Sequence, residues 1–118
     1  MVVEKDQDLL AVERANAYRG RYFVLGGIIS LSGKGQIRER DLVRVVEERS
    51  KTGLSEIVLA LSATSEGEHT ADRVRELLMP YRDHLKLSEL GRGLATGSEL
   101  EYADAETLRA ALTNRKET

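Results

Sequence analysis

The chain has no cysteine, no tryptophan and a single proline. Without cysteine there is no disulfide, no thiolate zinc site and no cysteine nucleophile, and a cytoplasmic location is the simpler expectation. No apolar run approaches the roughly 18 residues of a membrane-spanning helix, and the opening MVVEKDQD is not a signal peptide, so no membrane association is expected. Neither sign of charge dominates. With 18 Lys+Arg against 20 Asp+Glu the net charge is −2, so no overall basic field draws the chain onto nucleic acid. What is there suits one soluble globular domain: 118 residues, 41% hydrophobic and 32% charged. A chain of this length buries about two-thirds of its unfolded surface. One proline against ten glycines predicts long elements, with glycine kept for particular turns.

The hydrophobic pattern alternates between two periods. Met1, Val2 and Val3 form a short apolar run ending at Glu4 and read as a buried strand. A core strand at the very first residue suggests a piece of a longer protein. Asp6 and Asp8 are good helix-capping types, and Leu9, Val12 and Ala15 follow at helical spacing. Residues 22–25 are aromatic and β-branched and end at Gly26 and Gly27, a second strand. Residues 30–36 carry Gly33 and Gly35 and read as a loop. From about Arg38, Leu42, Val45 and Val46 mark a second helix that Gly53 stops. Residues 57–61 are apolar without alternation, as in a strand buried on both faces. Ala71, Val74, Leu77 and Leu78 mark a third helix ending at Pro80. Residues 85–90 are a weaker fourth strand, expected at an edge. After a glycine-rich stretch at 91–97, Asp104 is placed to cap a last helix carrying Leu108, Ala111 and Leu112, and the polar tail 114–118 is expected to fray.

This order, βαβαβαβα, predicts an α/β fold: a four-stranded, mostly parallel sheet flanked by helices, with a further C-terminal helix. Ligands of such sheets gather at the carboxyl ends of the strands. Glu4 ends the first strand, and residues 62–68, with Glu66 and Glu68, follow the third. If those strands are neighbours the three carboxylates converge, as in sites that hold Mg²⁺ for phosphoryl transfer. A simpler reading of Glu66 and Glu68 is that acidic side chains favour the positive end of a helix.

Several strings taken together resemble the Toprim domain, and within it most closely the RecR family of recombination mediators. They are Val2-Val3-Glu4, then YRGRYFVLGG from Tyr18 to Gly27, then Glu66-Gly67-Glu68, then Arg92-Gly93-Leu94, then Leu100-Glu101-Tyr102-Ala103-Asp104. The resemblance covers essentially the whole chain and implies a Toprim domain over residues 1–90. Residues 91–118 would then be a connection and helix that either turns sharply or passes to a neighbouring subunit. Catalytic Toprim sites pair a Glu after the first strand with an Asp-x-Asp and a following Glu after the third. Here Glu4, Glu66 and Glu68 match, but Ser62 and Thr64 stand at the two Asp positions. Hydroxyls bring no countercharge, so at most weak Mg²⁺ binding is implied.

The resemblance therefore implies a non-enzymatic DNA repair protein with no resident cofactor. Zinc and a helix-hairpin-helix belong to a part of the family that this sequence does not contain. Implied partners are RecO and in some bacteria RecF, a homo-oligomeric assembly, and DNA in the full-length protein with weak binding by this chain. Glu4, Glu66, Glu68 and Arg92 are the candidate partner-binding residues. The alternative is a stand-alone Toprim enzyme, nuclease or primase-like, with a degraded metal site. Ser32-Gly33-Lys34-Gly35 lacks the spacing of a phosphate loop. His69 and His84 have no second histidine nearby in sequence, and Tyr18, Tyr22, Tyr81 and Tyr102 are expected to pack.

Overall fold

The computed structural model describes residues 1–33, 35–90 and 105–118. The elements follow in the order β1 (Val2–Val3), α1 (Asp6–Ala15), β2 (Phe23–Val24), α2 (Glu39–Ser50), β3 (Glu56–Ala60), α3 (Ser65–Leu77), a 3₁₀ turn (Met79–Tyr81), β4 (Lys86–Glu89), α4 (Ala105–Thr113) and β5 (Lys116–Glu117). They build one five-stranded sheet in the order β2-β1-β3-β4-β5. The first four strands run parallel and β5 runs antiparallel to β4.

The short outer strands reach further than their ladders. Leu25 N donates to Val3 O at 2.9 Å and Gly26 N to Glu4 O at 2.9 Å, so β2 stays against β1 up to the glycine pair. Gly26 has φ +86°, a conformation that suits glycine.

β3 shows why its sequence does not alternate. Ile57 and Leu59 face the layer of α2 and α3, in a core that includes Val2, Leu42, Val46, Val74, Leu78 and Leu87. Val58 and Ala60 face the opposite layer, with Val3, Val12, Leu108 and Leu112. Both faces of β3 are thus covered by helices, as parallel strands require. Val45 of α2 is only half-buried, while Leu42 and Val46 are buried.

Three expectations are corrected. First, β4 is not an edge and the tail does not fray: residues 116–117 add a fifth strand. Ser88 pairs with Glu117 and Glu89 with Lys116, and Thr118 N donates to Leu87 O at 2.9 Å. Side chains hold this polar strand where apolar burial does not. Arg115 forms a two-pronged bridge to Glu56, Nε–Oε2 2.6 Å and Nη2–Oε1 3.1 Å. Arg82 donates to Thr118 O at 2.6 Å, and Arg75 donates to the Thr118 hydroxyl.

Second, neither Asp6 nor Asp8 caps α1. Lys5 is the capping residue, and Asp8, in the first turn, accepts its backbone N–H at 3.3 Å from a buried position. Third, Pro80 does not end α3 directly: α3 closes at Leu77, and Pro80 sits inside the 3₁₀ turn that follows. The end of α1 falls where its helical spacing runs out, at Asn16, whose left-handed φ of 53° closes the helix.

The apolar face of α4 is buried against α1 and the sheet of its own chain through Leu108, Ala111 and Leu112. The expectations resting on residues 91–97, Tyr102 and Asp104, including a crossing to a neighbouring subunit, lie outside the described residues, as does Lys34.

Candidate functional site

Strand order reverses between β1 and β3: the chain steps from β1 outward to β2, then back across to β3 on the other side. That is the point where an open parallel sheet leaves a crevice at its carboxyl end. Val2 stands opposite Leu59 and Val3 opposite Ala60, so Glu4 and the loop after β3 meet there, as expected.

The contents of the crevice differ from expectation. Glu4 Oε1 accepts the backbone N–H of Ser62 at 2.7 Å. The Ser62 and Thr64 hydroxyls are 3.1 Å apart and hydrogen-bonded. Thr64 also caps α3, its Oγ1 accepting Gly67 N at 3.0 Å. Glu68 turns away to Arg75, 3.3 Å, which also pairs with Asp72 at 2.7 Å and Glu89 at 3.2 Å. Glu66 is half-buried in the first turn of α3. The expected convergence of Glu4, Glu66 and Glu68 is therefore corrected. Among the described residues no group of three or more carboxylate or imidazole side chains is placed to hold a metal ion. The physical reason is that one oxygen of Glu4 is taken by an amide and Glu68 by a guanidinium. The residues present do not fit a built Mg²⁺ site, which needs several convergent oxygens.

Gly67 explains the Glu-Gly-Glu string better than metal binding does. A Cβ there would lie 2.0 Å from Ser62 O and 2.6 Å from its Oγ. Only glycine lets α3 start this close to the loop. The loop of residues 28–36 is pinned to the same helix by a contact the sequence did not signal. The fully buried Thr70 accepts Ile29 N at 2.9 Å and donates to Glu66 O at 2.8 Å. Thr70 lies one turn past the Glu-Gly-Glu string, among apolar positions, and that placement is the only cue it offered. Arg73 ties α3 to α2 by a two-pronged bridge to Glu39, 2.8 and 3.2 Å, which holds the Glu39 carboxyl below the usual carboxylate range.

The other expected residues fall elsewhere. His69 and His84 are exposed and apart from any ligand cluster among the described residues. Tyr18 and Tyr22 pack edge to face, ring centroids 5.3 Å apart, and Tyr81 packs against the α2–α3 core. Tyr18 also covers Gly20, where a Cβ would lie 2.2 Å from its hydroxyl, which accounts for the Tyr-Arg-Gly string. Arg92 lies outside the described residues.

No helix among the described residues is long and apolar enough to cross a membrane. The family model for the Toprim domain matches residues 1–90, and that for the RecR C-terminal region matches residues 93–116. Curated relatives named "Recombination protein RecR" cover nearly the whole chain. That of Cereibacter sphaeroides strain ATCC 17029 is 41% identical over 115 residues, 98% of this chain and 57% of its own length. The relative from Latilactobacillus sakei is 39% identical over 118 residues, 99% of this chain and 58% of its own length. In Synechococcus sp. strain JA-3-3Ab the identity is 45% over 120 residues, 98% of this chain and 58% of the relative. The chain thus spans less than two-thirds of the relatives it matches. The Toprim family model covers more than half of the chain and the model for the RecR C-terminal region follows it in sequence, so the chain belongs to the Toprim family and corresponds to the Toprim and C-terminal region of RecR.

Proposed function

We propose that this chain is the partner-binding and oligomerisation part of a non-enzymatic DNA recombination and repair mediator. In this reading it works in the bacterial cytoplasm with RecO, and with RecF in some bacteria, to load RecA onto single-stranded DNA. DNA contact falls mainly to the helix-hairpin-helix and zinc-bearing part of the family, so this chain alone binds single-stranded DNA weakly. Residues 1–90 are the Toprim unit, and residues 91–118 serve assembly of the homo-oligomer.

The observation that carries the reading is the Glu4–Ser62 hydrogen bond. It uses the acidic residue that a catalytic Toprim site would keep for Mg²⁺, and Ser62 and Thr64 bond to each other where such a site has two aspartates. What remains near the carboxyl end of the sheet is the pair of acidic side chains Glu66 and Glu68 in the first turn of α3. A net-acidic rim suits a basic partner surface. Arg92, outside the described residues, is proposed as a further partner-binding residue from the sequence alone.

The test is capture of the cognate RecO by this chain, repeated with Glu66→Lys and Glu68→Lys together. Loss of capture with the fold intact supports the acidic face, and unchanged capture removes it. A companion assay with Mg²⁺ and Mn²⁺ is expected to give no cleavage of plasmid or oligonucleotide. Cleavage abolished by Glu4→Ala would make the chain a metal-dependent enzyme instead.

A further inference from the structure

The opposite end of the sheet carries a second surface that the RecO reading does not use. Where β1, β2 and β3 begin, the chain surrounds a groove of about 840 Å³. Arg19 and Arg21, before β2, and Arg49, in the last turn of α2, line it. Arg19 and Arg21 are exposed and Arg49 is half-buried. Among the described residues none of these three guanidinium groups is in a hydrogen bond or ion pair, whereas Arg38, Arg73, Arg75 and Arg115 are all paired. In a chain with more acidic than basic side chains, three unpaired arginines around one concavity mark a local positive site.

We infer that this groove binds an acidic peptide segment of a partner protein. Guanidinium groups hold carboxylates by two-pronged hydrogen bonds. The walls between them are apolar, with Val45, Leu54 and Leu112, and can take the intervening side chains of a peptide. Two observations favour a peptide over single-stranded nucleic acid. The aromatic rings of the groove are already occupied: Tyr18 lies on Gly20 and edge to face with Tyr22, and Phe23 sits under Arg38 at 5.0 Å. They leave no stacking platform for bases. The groove also contains the carboxylates of Glu48 and Glu56, and Glu56 is held ionised by Arg115. A continuous phosphate backbone would meet both, whereas a peptide places its carboxylates only opposite the arginines.

The test is fluorescence anisotropy of the 118-residue chain with a fluorescein-labelled peptide of alternating aspartate pairs and leucine. The comparison probes are the same peptide with asparagine for every aspartate, and a short oligo-dT. Expected are saturable binding of the acidic peptide that weakens with salt, about tenfold loss in Arg21→Glu with Arg49→Glu, and no loss in Arg40→Glu, which lies outside the groove. Amide-shift mapping of the unmutated chain adds a reading that needs no variant, with shifts expected at residues 19–23 and 49–55. The inference is overturned if the asparagine peptide binds as well, if oligo-dT binds more tightly, if the double reversal changes nothing, or if the shifts fall elsewhere. Because this groove lies at the other end of the sheet from Glu66 and Glu68, its failure would leave the RecO reading untouched.

Discussion

Glu4 and Ser62, fifty-eight positions apart in the chain, are joined by a 2.7 Å hydrogen bond from the Ser62 amide to the Glu4 carboxylate. Each stands at the end of a strand, and the strands are parallel neighbours on either side of the point where strand order reverses. The bond converts what would be a cation ligand into a brace for the loop that starts α3. Ser62 and Thr64 complete the brace with their mutual bond and the Thr64 cap. In this chain the carboxyl end of the sheet is therefore a shaped, acidic, internally bonded surface.

Gly67→Ala tests how tightly that surface is built. The added methyl would sit 2.0 Å from Ser62 O, backbone that cannot yield cheaply. The expected cost is about 1–3 kcal/mol, the range for forced overpacking with backbone shift. Thermal melting should show a fall in Tm on the order of 10 °C. Glu66→Ala, beside it, should melt within about 2 °C of the parent.

Thr70→Val is nearly isosteric yet removes the acceptor of the Ile29 amide. A half-buried amide left without its partner costs about 1 kcal/mol, the low end of the penalty for buried amides. Denaturant unfolding should show that loss, and hydrogen exchange at Ile29 should accelerate well beyond the global change. Equal protection of Ile29 in both proteins would show that Thr70 does not hold the loop.

Glu56 gives the fold an acid-sensitive element. Hydrogen bonds from Arg115, then from Ser88, lower its carboxyl from an ordinary 4.5 to about 2, against the opposing effect of burial. A folded-state value below the unfolded one means the stabilisation is fully present above about pH 4.5. It is lost as the pH falls toward 2. Glu56→Gln should therefore lower stability by about 1 kcal/mol at pH 7. The gap to the parent should narrow between pH 4.5 and 2. Melting curves across that range check it, and a constant gap would assign the effect to something other than the Glu56 charge. Because Arg115 precedes β5, the variant should also loosen Lys116 and Glu117 from β4.

Most of the architecture was legible because burial leaves a period in the sequence. The unbroken run from Ile57 to Leu61 reads as a strand covered on both faces, and β3, Glu56–Ala60, is one. The helices followed from Leu42 and Val46, from Ala71, Val74 and Leu78, and from Leu108, Ala111 and Leu112 in the same way. β5 was not legible because Lys116 and Glu117 bury nothing: guanidinium bridges from Arg115, Arg75 and Arg82 hold the tail, and such long-range pairs have no local signature. The site was half legible. Strand ends predicted that Glu4 would meet the loop after β3, but periodicity says nothing of side-chain direction, so the turn of Glu68 toward Arg75 and the brace from Glu4 to Ser62 appear only in three dimensions. Thr70 was hidden for a related reason, since a hydroxyl in an apolar stripe resembles a tolerated core position until its partner is known.

We propose that the carboxyl end of this sheet recognises a protein and does not form a metal-dependent catalytic centre. Amide-resolved NMR of the chain, titrated with Mg²⁺ and then with the cognate RecO, tests this. The expected result is little change with Mg²⁺ and concentrated shifts at Glu4 and residues 62–68 with RecO. Saturable shifts of those residues with Mg²⁺ alone, and none with RecO, would contradict it.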